Sequence, residues 1–207
     1  IFEVALQDTF VRFEKYRSKL HISHSLIRIF VVSSQFEIRT ERKMSLTTPL
    51  DQYIADHSSP EGDYLYRLFR ATHVEILAPQ MASGHIQGRL LKFLVKMIRP
   101  RRILEIGTFT GYSGLCMAEG LDEGGKLYTF EVEDELEDFT RRWIDGSPYA
   151  DKIEFIIGNA LEIVPTLGEK FDLVFMDGNK REYIKYYELA MEYLNDGGWI
   201  LADNTLW

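Results

Sequence analysis

The sequence predicts a doubly wound, parallel α/β sheet, and three observations carry that expectation. Beyond Pro100, short apolar runs rich in β-branched and aromatic residues alternate with segments of helical periodicity. Turn residues stand where each helix hands over to the next strand. A length of 207 residues, 45% hydrophobic and 27% charged, suits one domain with a sizeable core.

Taken in order, residues 1–43 hold eight Lys or Arg against five Asp or Glu, a local charge of +3 in a chain of net charge −8. That shift marks 1–43 as an N-terminal extension ahead of a domain spanning 44–207, with Met44 as a candidate start. Within the extension Leu6, Phe10, Phe13 and Leu20 line one helical face, and Leu26 to Val32 reads as a strand. Ser58-Ser59-Pro60-Glu61 then opens a helix in which Leu65, Leu68, Phe69 and Thr72 recur at helical spacing. A second helix carries Ile86, Leu90, Leu91, Leu94 and Met97 and stops at Arg99-Pro100. Strands follow at about 102–106, 126–131, 153–157, 171–176 and 198–203, with helices near 111–120, 134–145, 161–167 and 180–194. Gly124-Gly125, Ser147-Pro148 and Asp196-Gly197-Gly198 supply turns between them.

Composition excludes several classes. With 32 acidic against 24 basic residues, the chain is not built as a general nucleic-acid scaffold, which needs clustered Lys and Arg. A single cysteine, Cys116, rules out an internal disulfide framework and fits a reducing, cytoplasmic setting. No apolar run approaches the roughly 18–20 residues that span a bilayer, so no membrane partner is expected.

In open α/β sheets ligands bind beyond the carboxyl ends of the strands, where strand order reverses, so the first strand-to-helix turn is the first candidate pocket. That turn is Gly107-Thr108-Phe109-Thr110-Gly111; its glycines permit close backbone approach, and the helix behind it presents free N–H groups. A tight turn with no ligand is the plain alternative. Glu131 closes the next strand 24 residues after Gly107, near the spacing at which an acid reaches ribose hydroxyls. A nicotinamide dinucleotide is disfavoured because Phe109 stands where its fingerprint requires the middle glycine. Glu105 suits a ligand with an amino group and a sulfonium charge better than one with phosphates.

Two later strands end in Asp177 and in Asp203-Asn204. Neighbouring strand ends lie about 5 Å apart, so Asp177, Asp203 and Asn204 form a set of hard oxygens suited to Mg²⁺ or a similar cation. The alternative is a turn at Asp177-Gly178-Asn179 and a capping Asp203. His85, alone at a helix start, is left out of catalysis.

LEIGTFTGYS, TFEVEDE, FDLVFMDGNKREYIKYYE and GGWILADNTLW follow one another between about Tyr64 and Trp207. Together they resemble the cation-dependent O-methyltransferases, the family of catechol and caffeoyl-coenzyme A O-methyltransferases and related bacterial enzymes. The resemblance implies the Rossmann-like sheet of class I methyltransferases, with S-adenosylmethionine as cofactor and a divalent cation. It implies cofactor contacts at Met81, Ser83, Glu105, Gly107, Phe109, Tyr112, Ser113, Glu131, Asn159, Ala160 and Asp177. It also names Lys180, beside Asp177, as the proton acceptor, a role open to a lysine when a nearby dication disfavours the ammonium form; an exposed lysine at a helix start is the plain alternative.

The implied acceptor is a hydroxyl of a catechol-like or caffeoyl-type small molecule. A tRNA 5-hydroxyuridine is the alternative, to be marked by a basic patch at the pocket mouth drawn from Arg99, Arg101, Arg102, Arg141 and Arg142. A non-catalytic S-adenosylmethionine-binding fragment is a third reading. The family continues past the Asp-Asn strand with an antiparallel pair of strands, so that strand's outer edge is expected to be unpaired here, or covered in a homodimer.

Overall fold

The computed structural model describes residues 28–32 and 49–205. The helical face expected from Leu6, Phe10, Phe13 and Leu20 lies outside the described residues. The elements are β1 (Arg28–Val32), α1 (Pro49–Asp56), α2 (Asp63–Glu75), α3 (Gly84–Ile98), β2 (Arg102–Ile106), α4 (Tyr112–Gly120), β3 (Lys126–Glu131), α5 (Glu137–Asp145), β4 (Ile153–Ile157), α6 (Ala160–Ile163), β5 (Phe171–Met176), α7 (Tyr183–Tyr193) and β6 (Leu194–Asp203).

Each expected strand is present, with local differences that have local causes. The strand expected over Leu26 to Val32 is present over its described residues, Arg28–Val32. β6 starts at Leu194, earlier than expected, because Leu194 pairs with Phe171 before a register shift carries the pairing on to Trp199 and Leu173. α2 does not open at Ser58: that hydroxyl donates to the Ile54 carbonyl at 2.6 Å at the end of α1, and α2 begins after Gly62, whose φ of 83° turns the chain into the helix. α3 ends as expected. Arg99, barred from the helical region by Pro100, adopts φ 56° and closes the helix by donating its N–H to Val95.

The strands form one six-stranded sheet in the order β1-β6-β5-β2-β3-β4, every pair parallel. The outer edge of β6, expected to be unpaired, is taken by β1, with Arg28 opposite Trp199 and Val32 opposite Asp203. A parallel partner there answers the open N–H and C=O groups that the expectation treated as a liability.

Alternation along the strands divides the core between two faces. Ile103, Leu173 and Phe175 pack with Leu65, Leu68, Leu91, Leu94 and Leu115 from α2, α3 and α4. Leu104, Ile106, Val174 and Met176 pack with Tyr186, Tyr187, Leu189 and Ala190 from α7. Strands apolar on both faces are what a parallel sheet covered by helices on each side requires. From β2 the chain runs to β3 and β4 on one side, then returns to β5 and β6 on the other, so the crevice opens at the carboxyl ends of β2, β3 and β5. Among the described residues no helix is long and apolar enough to cross a membrane.

Candidate active site

The turn after β2 is built to hold one shape. Gly107 takes φ 104°, and a Cβ there would stand 2.6 Å from the carbonyl oxygen of Asp177. Its first duty is therefore to let the turn lie against the Asp177-Gly178 peptide at the end of β5. Phe109 sits at φ 50°, with its N–H donating to Glu131 Oε2 at 2.7 Å and its carbonyl accepting from Thr140 Oγ1 at 2.8 Å. Thr110 accepts from Thr72 at 3.1 Å, and Tyr112, at the start of α4, donates to Glu61. No side chain caps the N-terminus of α4 behind Gly111, so its first N–H groups face the crevice end of the helix.

Glu105 lies beneath this turn with no exposed surface, accepting from Ser113 Oγ at 2.5 Å and from Thr129 Oγ1 at 2.6 Å. Thr108 and Thr129 share a further 2.5 Å hydrogen bond. Burial pushes the Glu105 carboxyl up to about 8, further raised by the Asp177 and Glu131 carboxylates and partly offset by the two hydroxyl donors. Gly114 makes room for it, since a Cβ would lie 2.8 Å from Glu105 Oε2.

Glu131, 8% exposed at the end of β3, is anchored by main-chain donors: Phe109 on Oε2, Val132 at 2.8 Å and Glu133 at 3.1 Å on Oε1. Beside it, the Gly158 N–H donates to the Glu131 carbonyl at 2.7 Å, which brings Asn159 and buried Ala160 to the same end of the sheet. Asn159 caps α6 by accepting from the Leu161 N–H. Ser83 precedes α3, and Met81 ends a short 3₁₀ turn with 61% of its surface exposed.

The second half of the site stands at the ends of β5 and β6. Their last register pair, Met176 with Ala202, sends Asp177 and Asp203 out on adjacent strands, about 5 Å apart in backbone spacing. Lys180 Nζ donates to Asp177 Oδ1 at 2.8 Å and to the Tyr183 hydroxyl. Tyr183 in turn reaches the carbonyls of Met176 at 3.0 Å and Asp203 at 2.9 Å, and burial, with the Asp177 and Asp203 carboxylates, pushes its phenol well above its ordinary value. Asp203 is 3% exposed, accepting from the Asn204 N–H at 2.7 Å on Oδ1 and from Gln87 Nε2 at 2.7 Å on Oδ2. Asn204 turns the chain at φ 50°, a conformation its short polar side chain tolerates. Among the described residues no three His, Cys, Asp or Glu side chains gather to hold a metal. The candidate donors are instead two carboxylates and one amide, a set whose chemistry fits a hard cation.

Thus Gly107, Phe109, Tyr112, Ser113, Glu105 and Glu131 meet around one turn, and Asp177, Lys180 and Asp203 meet at the neighbouring strand ends. Gln87 and Tyr183 were missed. The signal for Gln87 was a polar residue on the buried stripe of α3 that also carries Leu91 and Leu94. For Tyr183 there was only its place three residues after Lys180. His85 is engaged structurally, with Nε2 2.7 Å from the Ser59 carbonyl. Of the arginines considered for a basic patch, Arg99 pairs with Asp122, Arg102 with Glu169, Arg141 with Glu137 and Arg142 with Glu75.

Fold and site together define a Rossmann-like methyltransferase of class I. Residues 55–207 match the family model described as O-methyltransferase, and the chain belongs to that family. It is an S-adenosylmethionine-dependent O-methyltransferase. The chain is 32% identical over 166 residues to a caffeoyl-CoA O-methyltransferase of Stellaria longipes, covering 76% of this chain and 68% of that protein. It is 30% identical over 161 residues to a catechol O-methyltransferase of Niastella koreensis, covering 76% and 72%. The SAH-bound methyltransferase PaMTH1 of Podospora anserina superposes with a TM-score of 0.71 at 27% identity, over 79% of this chain and 73% of that one.

Proposed function

We propose that the chain methylates one hydroxyl of a catechol-like or caffeoyl-type small molecule in a divalent-cation-dependent reaction. The observation that carries this reading is the juxtaposition of Asp177, Lys180 and Asp203 at the ends of β5 and β6, against the turn that holds Glu131. Relatives named for caffeoyl-CoA and catechol methylation support the acceptor class.

Each half of the site has a part. Glu131 keeps both carboxylate oxygens fixed by main-chain N–H groups, leaving lone pairs for the two hydroxyls of a ribose. The uncapped start of α4 would turn its first N–H groups toward the cofactor. Bound S-adenosylmethionine supplies a methyl group on a sulfonium. Asp177, Asp203 and Asn204 would hold a hard cation, which when bound would lower the proton affinity of an acceptor hydroxyl. Lys180, placed against Asp177, takes the hydroxyl proton at Nζ when neutral. The pairing of Arg99, Arg102, Arg141 and Arg142 with carboxylates supports a small acceptor over a tRNA.

Replacing Asp177 or Asp203 by Ala tests the proposal. Each variant is expected to lose methyl transfer to catechol by on the order of 100-fold or more, while S-adenosylmethionine affinity, measured calorimetrically, changes little for Asp203→Ala. Full turnover in both variants would refute the assignment of this edge as the reacting site, and transfer to tRNA but not to catechol would refute the acceptor class.

A further inference from the structure

The sheet ladder between β5 and β6 stops at Met176 and Ala202, yet the two strands stay bridged beyond it. The Tyr183 hydroxyl lies 3.0 Å from the Met176 carbonyl and 2.9 Å from the Asp203 carbonyl, one from each strand. A phenol has one proton to give, so the two carbonyls share it, and its oxygen accepts from Lys180 Nζ. The same ammonium bonds Asp177 Oδ1 at 2.8 Å.

Lysine is a long side chain with four rotatable bonds, and a 31%-exposed one at the start of a helix ordinarily samples many rotamers at little cost. Asp177 alone restrains it in one direction. The phenol adds a second, rigid restraint, because its ring begins α7 and its oxygen is tied to both strand ends. Two anchors at an angle fix the position of Nζ where one would leave it to swing.

We propose that Tyr183 is a positioning residue: its hydroxyl, fastened to the ends of β5 and β6, holds Lys180 Nζ beside Asp177 in the place from which it takes the acceptor's proton. This rests on the reading of Lys180 as the proton acceptor, and no part of the proposal has Tyr183 touch the substrate. Geometry of this kind acts on the reaction rate and leaves cofactor affinity alone.

The test is a double-mutant cycle of Tyr183→Phe and Lys180→Ala, with catechol as acceptor and saturating Mg²⁺. Tyr183→Phe is expected to lower kcat by about 10- to 100-fold with KM for S-adenosylmethionine unchanged within about two-fold. In the Lys180→Ala background the same change should cost nothing further, because Tyr183 acts through Lys180. p-Aminophenylalanine in place of Tyr183 keeps a donor and a lone pair and should restore most of the lost rate, which a role in packing alone would not predict. In NMR spectra of the lysine side chains, the Lys180 Nζ hydrogens, shielded from exchange by its two partners, should broaden in Tyr183→Phe. Losses that multiply in the double variant, or an unaltered kcat in Tyr183→Phe beside an inactive Lys180→Ala, overturn the inference alone. Wild-type kcat in Lys180→Ala overturns the underlying reading of Lys180.

Discussion

Glu105 is a carboxyl group carried wholly out of water. It is fully buried among Ser113, Thr129 and the underside of α4, and burial raises its carboxyl to about 8. An unfolded glutamate titrates near about 4.3, so across the interval between these values the folded chain holds a proton that the unfolded chain has released. The group's contribution to stability is therefore full below the unfolded value and is lost as pH rises through the folded one. Melting temperatures recorded from pH 5 to 9 should fall across this window in the parent and fall less in Glu105→Gln, which keeps the shape without the charge. Equal slopes would show that Glu105 is ionised in the folded state.

Residues also show where sequence reading reaches and where it stops. Gly107 was legible as a glycine the turn needs, but its reason was not: the clash it avoids is with Asp177 and Gly178, distant in sequence and adjacent only once β5 lies beside β2. Asp177 and Asp203 were legible because strand ends are legible, and Lys180 was named by the family resemblance. Gln87 and Tyr183 were not, since nothing local announces that an amide or a phenol will reach another element's carboxylate or carbonyl.

At the scale of elements, α3 connects the packing to the chemistry. Its buried stripe of Leu91, Leu94 and Val95 sets the helix on the sheet, and that seating brings Gln87 to Asp203 Oδ2. Hydrogen-bond partners of a ligating carboxylate orient it, and their loss costs about 10- to 100-fold in metal affinity. Gln87→Ala should weaken Mn²⁺ binding by that range, read by electron paramagnetic resonance on protein without acceptor, with the melting temperature little changed. Unchanged Mn²⁺ affinity would detach Gln87 from the cation site. Periodicity set most helices and strands well because most carry an apolar stripe on the side that packs into the core. It misplaced the start of α2, where Ser58 closes α1, and it left β6 with an open edge, because the pairing of β1 with β6 is a contact between the two ends of the described chain.

For the whole molecule, the parallel sheet with its reversal at β2 places two different chemistries along one edge. The turn proposed for the cofactor lies at the ends of β2 and β3, and an acid, amide and lysine set lies at the ends of β5 and β6. Gly107 packed against Asp177 joins them, so on the proposed reading donor methyl and acceptor hydroxyl meet where the two halves abut. The net negative charge and the pairing of Arg99, Arg102, Arg141 and Arg142 with carboxylates suit a small acceptor better than a polyanion. The central claim is that this edge performs cation-dependent O-methylation, and transfer of labelled methyl from S-adenosylmethionine to catechol, with chelator and then with Mg²⁺ restored, tests it most directly. Transfer that stops in excess chelator, returns with Mg²⁺, and does neither in Asp203→Ala is the predicted result; undiminished transfer in excess chelator would contradict it.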